Sequence, residues 1–73
     1  MAAMSSPLGA RLRVLRREAG FDSIEAFAHA LGYSWPTVSR YERGVTTPSL
    51  DRLRHIADTI NVSLEQLLED VAA

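Results

Sequence analysis

Only three residues, Gly32, Tyr33 and Ser34, separate two segments that both carry helical signals. Before them, Ile24, Phe27, Ala28 and Leu31 follow the i, i+3, i+4, i+7 spacing of a single apolar helix face. After them, "SWPTVSRYERG" reads as a short helix from Ser34 to Gly44. Serine is a favoured N-cap, proline in a first turn loses only an N–H that had no partner there, and glycine is a frequent helix stop. A link this short, with a glycine in it, allows nothing but an abrupt turn, so the second helix leaves the first at a steep angle. The small Ala28 lets the two approach closely. Val38 is the one aliphatic side chain in the second segment. The expectation is therefore a helix that buries little, rooted at Val38 and held outward by the helix before it.

The rest of the chain is punctuated in the same manner. Ser6 and Pro7 open a first helix and Gly20 closes it. Within it Leu8, Leu12, Leu15 and Ala19 share a face, leaving Arg11, Arg13, Arg16 and Arg17 largely elsewhere. The second helix starts at Asp22 or Ser23. A fourth carries Leu50, Leu53, Ile56, Ala57 and Ile60 up to Asn61, a residue that tolerates the left-handed stop. A fifth opens on a Ser63…Gln66 capping box and continues through Leu67, Leu68 and Val71. Nowhere do Val, Ile and Thr alternate over a useful length, so strands find no support. The predicted fold is all-α: one compact five-helix domain over residues 6–71, a helix-turn-helix at helices 2–3, and a flexible N-terminal tail at 1–5. At 73 residues this is close to the lower limit of a self-sufficient core.

Several function classes drop out. With no cysteine, disulfides and thiolate metal sites are excluded. His29 and His55 are single histidines on separate helices with no third ligand at metal spacing, although His55 and Asp58 share a helical face. No serine has a plausible base and no glycine-rich loop could cradle a phosphate. The expectation is no enzyme, no metal, no cofactor and no evident small-molecule ligand. No apolar run approaches membrane-spanning length and no signal segment opens the chain, so no membrane partner and a cytoplasmic location are expected. The net charge of −1 hides a segregation: +4 over residues 1–17, −3 over 18–39, +2 over 40–54 and −4 over 55–73. Uneven charge is common in small proteins, yet it also lets a chain that is acidic overall present a basic face to a polyanion.

"LRVLRREAGF…SIEAFAHALGYSWPTVSRYERGVTTPSLDRLRHIADTINVSLEQLL" resembles the lambda-repressor-like helix-turn-helix family of Cro and repressor (XRE) type, over about residues 8–68. The resemblance implies a five-helix, usually dimeric domain that binds double-stranded DNA, often as a transcriptional repressor. It also leaves room for an antitoxin with a toxin partner, or for a protein-interaction module on the same fold. By position, Trp35, Pro36, Thr37 and Arg40 match the places that reach base edges, with Ser34 as cap of the recognition helix. Ser23, Ser34, Arg43, Thr46 and Thr47 lie where the family meets phosphates. Arg16 and Glu42 match a pair that pins helix one to helix three. Ser23 matches the cap of helix two, but Ile24 follows where a polar glutamine is usual, after a one-residue insertion near Asp22.

Physical chemistry weighs on each role. Arg40 can donate two bonds to one guanine, the commonest specific pairing. Arg43 suits a phosphate contact and equally the negative end of its own helix. Glu42 would be unfavourable near a helix C-terminus and against DNA, and pairing with Arg16 removes both objections. Tyr41 is expected to pack, partly buried. Trp35 could cover the turn at Tyr33, touch a thymine methyl or sugar, or meet a protein partner, since exposed aromatics are enriched in interface hot spots.

Overall fold

A computed structural model describes residues 7–69. The expected tail at 1–5, the Ser6 cap and Val71 lie outside them. Five helices follow one another: α1 Pro7–Glu18, α2 Ile24–Leu31, α3 Trp35–Arg43, α4 Leu50–Thr59 and α5 Leu64–Leu67. Among the described residues there is no strand, and no helix is long and apolar enough to cross a membrane.

Local chemistry sets the bounds. The hydroxyls of Ser23, Ser34, Ser49 and Ser63 each accept from a backbone N–H three residues on, which starts α2 to α5. At Ser63 the Gln66 side chain returns the bond and completes the capping box. The first four helices all end in the same hydrogen-bonded hook. In α2, Gly32 donates to the His29 carbonyl and Tyr33 to that of Ala28. Gly32 sits at φ 80°, where any side chain would be strained, and this left-handed residue turns α2 into α3. Asn61 takes the same role after α4 at φ 60°.

The five largest fully buried side chains are Leu12, Phe27, Val38, Ile56 and Leu67, one from each helix. No helix is peripheral to this core. That corrects the expectation that α3 buries almost nothing: Val38, Ser39, Tyr41 and Glu42 are all buried. The polar and aromatic members escaped an aliphatic count because their polar atoms have partners inside the protein. Ala19, expected on the apolar face of α1, is exposed in the turn beyond Glu18. Leu50, expected on the core face of α4, is 52% exposed, because it follows the Ser49 cap at the start of the helix, ahead of the packed turns. α5 is a single turn, and Leu68 already leaves helical geometry at φ −97°, ψ 6°.

α1 crosses α3 at Gly9. A Cβ placed there would stand 2.5 Å from the Glu42 carbonyl oxygen and 2.8 Å from that of Tyr41, both backbone atoms. The two helices can lie this close only because residue 9 has no side chain. In an open helix interior Gly→Ala stabilises by about 0.5–1 kcal/mol. Here the sign should reverse: Gly9→Ala forces the helices apart and should cost about 1–3 kcal/mol, as overpacking does. A thermal melt of Gly9→Ala checks this, with a lowered midpoint expected.

Candidate nucleic-acid interface

α3 has two faces. Val38, Tyr41 and Glu42 point inward, while Pro36, Arg40 and Arg43, at i, i+4 and i+7, are exposed along one stripe, with Thr37 half-buried beside it. Trp35 stands at the front, 53% exposed. The Tyr33 ring in the preceding turn meets Tyr41 edge-on with centroids 6.5 Å apart, and His55 at 5.6 Å. Ser34 is the N-cap at ψ 152°, with Trp35 and Pro36 already in the helix. Its Oγ accepts from the Thr37 N–H at 3.3 Å and shares a 2.7 Å bond with the Thr37 hydroxyl. Both hydroxyls are thus engaged with each other.

The remaining sequence-nominated residues flank this stripe. Arg43 donates from Nε to the Ser39 hydroxyl at 3.2 Å, which draws its guanidinium back along its own helix. Thr46 and Thr47 are exposed in the loop after α3, where the Val45 N–H is held by the Arg40 carbonyl at 2.9 Å and Pro48 is buried. Ser23 caps α2, its Oγ accepting from the Ala26 N–H at 3.0 Å. Ile24, where a polar side chain was the family expectation, packs against the core.

Arg16 and Glu42 meet as a bidentate pair, Nε to Oε2 at 2.7 Å and Nη2 to Oε1 at 3.3 Å, with about 4% of each side chain exposed. Arg16 spends Nη1 on the Phe21 carbonyl at 2.8 Å. One guanidinium therefore ties α1, the turn before α2 and the C-terminal end of α3. The acid that would repel a phosphate backbone is turned inward and neutralised.

Two clusters were not anticipated from sequence. Arg11 donates to the Gln66 carbonyl at 3.1 Å and to Glu69 at 3.0 Å, docking α1 on the end of α5. Arg52 of α4 donates from Nη1 to the Tyr41 hydroxyl at 2.8 Å and lies 4.6 Å from the Tyr33 ring centroid. Burial raises the Tyr33 phenol above its usual pKa of 10.0, against the Arg52 cation, which lowers it. His55 donates from Nε2 to the Leu31 carbonyl at 2.8 Å, satisfying a carbonyl at the end of α2. The available signal was faint: Arg52 and His55 are three apart on α4, and a tyrosine stands in the turn they reach. Among the described residues no group of three or more His, Cys, Asp or Glu could hold a metal.

A profile of the helix-turn-helix domain matches residues 7–70. The HTH-type transcriptional regulator DdrOP3 of Deinococcus deserti is 43% identical over 61 residues, 84% of this chain but 46% of that protein. The chain thus spans less than half the length of that relative. The crystal structure of the restriction-modification controller protein C.AhdI from Aeromonas hydrophila superposes with a TM-score of 0.75 at 32% identity, covering 82% of this chain and 89% of that one. SinR, the master regulator for biofilm formation, solved in complex with DNA, superposes at 0.76 and 31% identity, covering 84% and 97%.

Removing one member of a buried ion pair strands the other and costs about 3–5 kcal/mol. Glu42→Ala should lower the melting temperature sharply, leaving Arg16 with only the Phe21 carbonyl. A calorimetric scan of parent and variant measures it, and coincident midpoints would contradict the assignment.

Proposed function

The chain belongs to the helix-turn-helix domain family, and we propose that it is a DNA-binding transcriptional regulator, a repressor that binds operator DNA as a homodimer with α3 in the major groove. The observation that carries this reading is the outward stripe of α3. A helix fixed to the core through Val38, Tyr41 and Glu42 exposes Trp35, Pro36, Arg40 and Arg43 and hides its acid. Such a helix fits the width of a B-DNA major groove.

In this reading Arg40 takes guanine, and Trp35, Pro36 and Thr37 read by van der Waals contact, the Thr37 hydroxyl being shared with Ser34. Arg43, Thr46 and Thr47, with the capped starts of α2 and α3 at Ser23 and Ser34, meet phosphates, where helix N–H groups favour anions. One recognition helix covers few base pairs, so two copies reading grooves about 34 Å apart would supply a full site. The apolar surplus of α5 available to such a dimer is modest: Leu67 is fully buried, and Leu64 and Leu68 are partly exposed. Action on chromosomal DNA would place the protein in the cytoplasm.

Arg40 and Arg43 should separate on an operator selected from a random duplex pool. Arg40→Ala should lose about 1–3 kcal/mol on that operator, relax choice at one base position and leave general DNA binding nearly intact. Arg43→Ala should weaken all sequences alike and reduce the salt slope by about 1. Fluorescence anisotropy on operator and scrambled duplexes measures both; equal proportional losses in the two variants would refute this division of labour.

Trp35 is the sole tryptophan and so reports its own surroundings. Its emission should shift or quench on adding operator, and acrylamide should then reach it less well. Unchanged emission and quencher access at saturating operator would remove Trp35 from the reading surface. Protection by a partner protein but not by DNA would favour the antitoxin-like alternative.

A further inference from the structure

We propose that Arg52 is a preorganised contact to a DNA backbone phosphate, set in place by Tyr33 and Tyr41 beside the recognition helix. The inference rests on the reading of α3 as the element that enters the groove, and it adds a contact from α4.

Arginine placement elsewhere in the protein gives the contrast. Arg16 and Arg11 are each held by a carboxylate, Glu42 and Glu69. Arg52 is held without one: among the described residues it forms no ion pair. Its guanidinium is instead anchored at Nη1 by the Tyr41 hydroxyl at 2.8 Å and stacked 4.6 Å from the Tyr33 centroid. Both partners are neutral, so the side chain is ordered while its charge stays uncompensated. Arg52 itself is exposed. A stacked, planar guanidinium keeps further N–H donors for an oxygen anion and loses less freedom on meeting one than a solvated arginine does.

Position supports the same conclusion. Arg52 lies in the first turn of α4, three residues past the Ser49 cap, where the helix dipole disfavours a cation. Tyr33 directly precedes the Ser34 cap of α3, and Tyr41 belongs to α3 itself. The guanidinium thus bridges the first turn of α4 to α3, and Thr46 and Thr47 lie in the loop that joins these two helices. A charge kept at an unfavourable helix end, fixed by two aromatic residues and left without an acid, is placed for an anion from outside. The sugar–phosphate backbone bordering the groove that α3 enters supplies one.

A merely structural tie between α4 and α3 makes a different prediction, and the salt dependence of binding separates the two. Each phosphate neutralised contributes about 0.9 to the slope of log K against log salt on B-DNA. Binding of a labelled random-sequence duplex should be measured by anisotropy across a sodium chloride series, alongside thermal melts. Arg52→Met should reduce the slope by about 0.9, with equal loss on operator and random duplex. Arg52→Lys, which keeps the charge, should retain the slope. Tyr41→Phe, which removes the anchoring hydroxyl, should retain the slope but bind more weakly.

A parental slope in folded Arg52→Met, whatever its affinity, would overturn the proposal and leave the DNA-binding reading standing. If Arg52→Met does not fold, Arg52→Gln takes its place in the same salt series: a slope reduced by about 0.9 supports the contact, and a parental slope overturns it. A parent protein with no salt-dependent binding to any duplex would overturn both readings.

Discussion

The bidentate Arg16–Glu42 pair is the interaction on which the arrangement of the other elements depends. It links α1, the turn into α2 and the C-terminal end of α3. Gly9 works on the same two helices by a different means: with no side chain it lets α1 reach the backbone carbonyls of Tyr41 and Glu42. Close approach and buried charge reinforce one another. Tight packing excludes water from the pair, and the pair fixes how α3 is rotated about its axis. That rotation decides which side chains face solvent. Turning Glu42 inward is what turns Pro36, Arg40 and Arg43 outward.

A second set of contacts secures α3 without charge pairing. His55 satisfies the end of α2, Tyr33 stacks between α3 and α4, and Arg52 reaches the Tyr41 hydroxyl. The turn residue Tyr33 is therefore packed as well as bent, and the steep exit that Gly32 permits is held by aromatic contacts. α3 is thus braced by an ion pair against α1 and by an aromatic cluster against α4. A short helix with few aliphatic side chains can be rigidly presented this way, and a rigid reader loses less entropy when it meets its target.

The helix count and the starts of α2, α3 and α5 were legible because local rules govern them. Serine caps, positive-φ glycines and the i, i+3, i+4, i+7 spacing act within a few residues and need no tertiary context. The failures follow from the same locality. Leu50 has the spacing of a core residue, yet the helix starts ahead of the packed region. α3 has one aliphatic residue, yet four of its side chains are buried, because hydrogen bonds and an ion pair made burial of Ser39, Tyr41 and Glu42 tolerable. Aliphatic periodicity cannot see such partners.

Among the site residues, Arg16 and Glu42 were nominated through family resemblance, 26 positions apart in sequence, and no local pattern links them. Arg52 was missed for the converse reason. It looks like any exposed arginine until α4 is laid beside the turn and its guanidinium meets the Tyr41 hydroxyl and the Tyr33 ring. By itself the sequence determined five helices, the serine caps of α2, α3 and α5 and the abrupt link at residues 32–34, all matters of short-range backbone chemistry. Only the tertiary structure decided which face of α3 is outward, where α1 touches it and which arginines are neutralised, because charges, ring faces and a missing Cβ act through space between residues that the chain keeps apart.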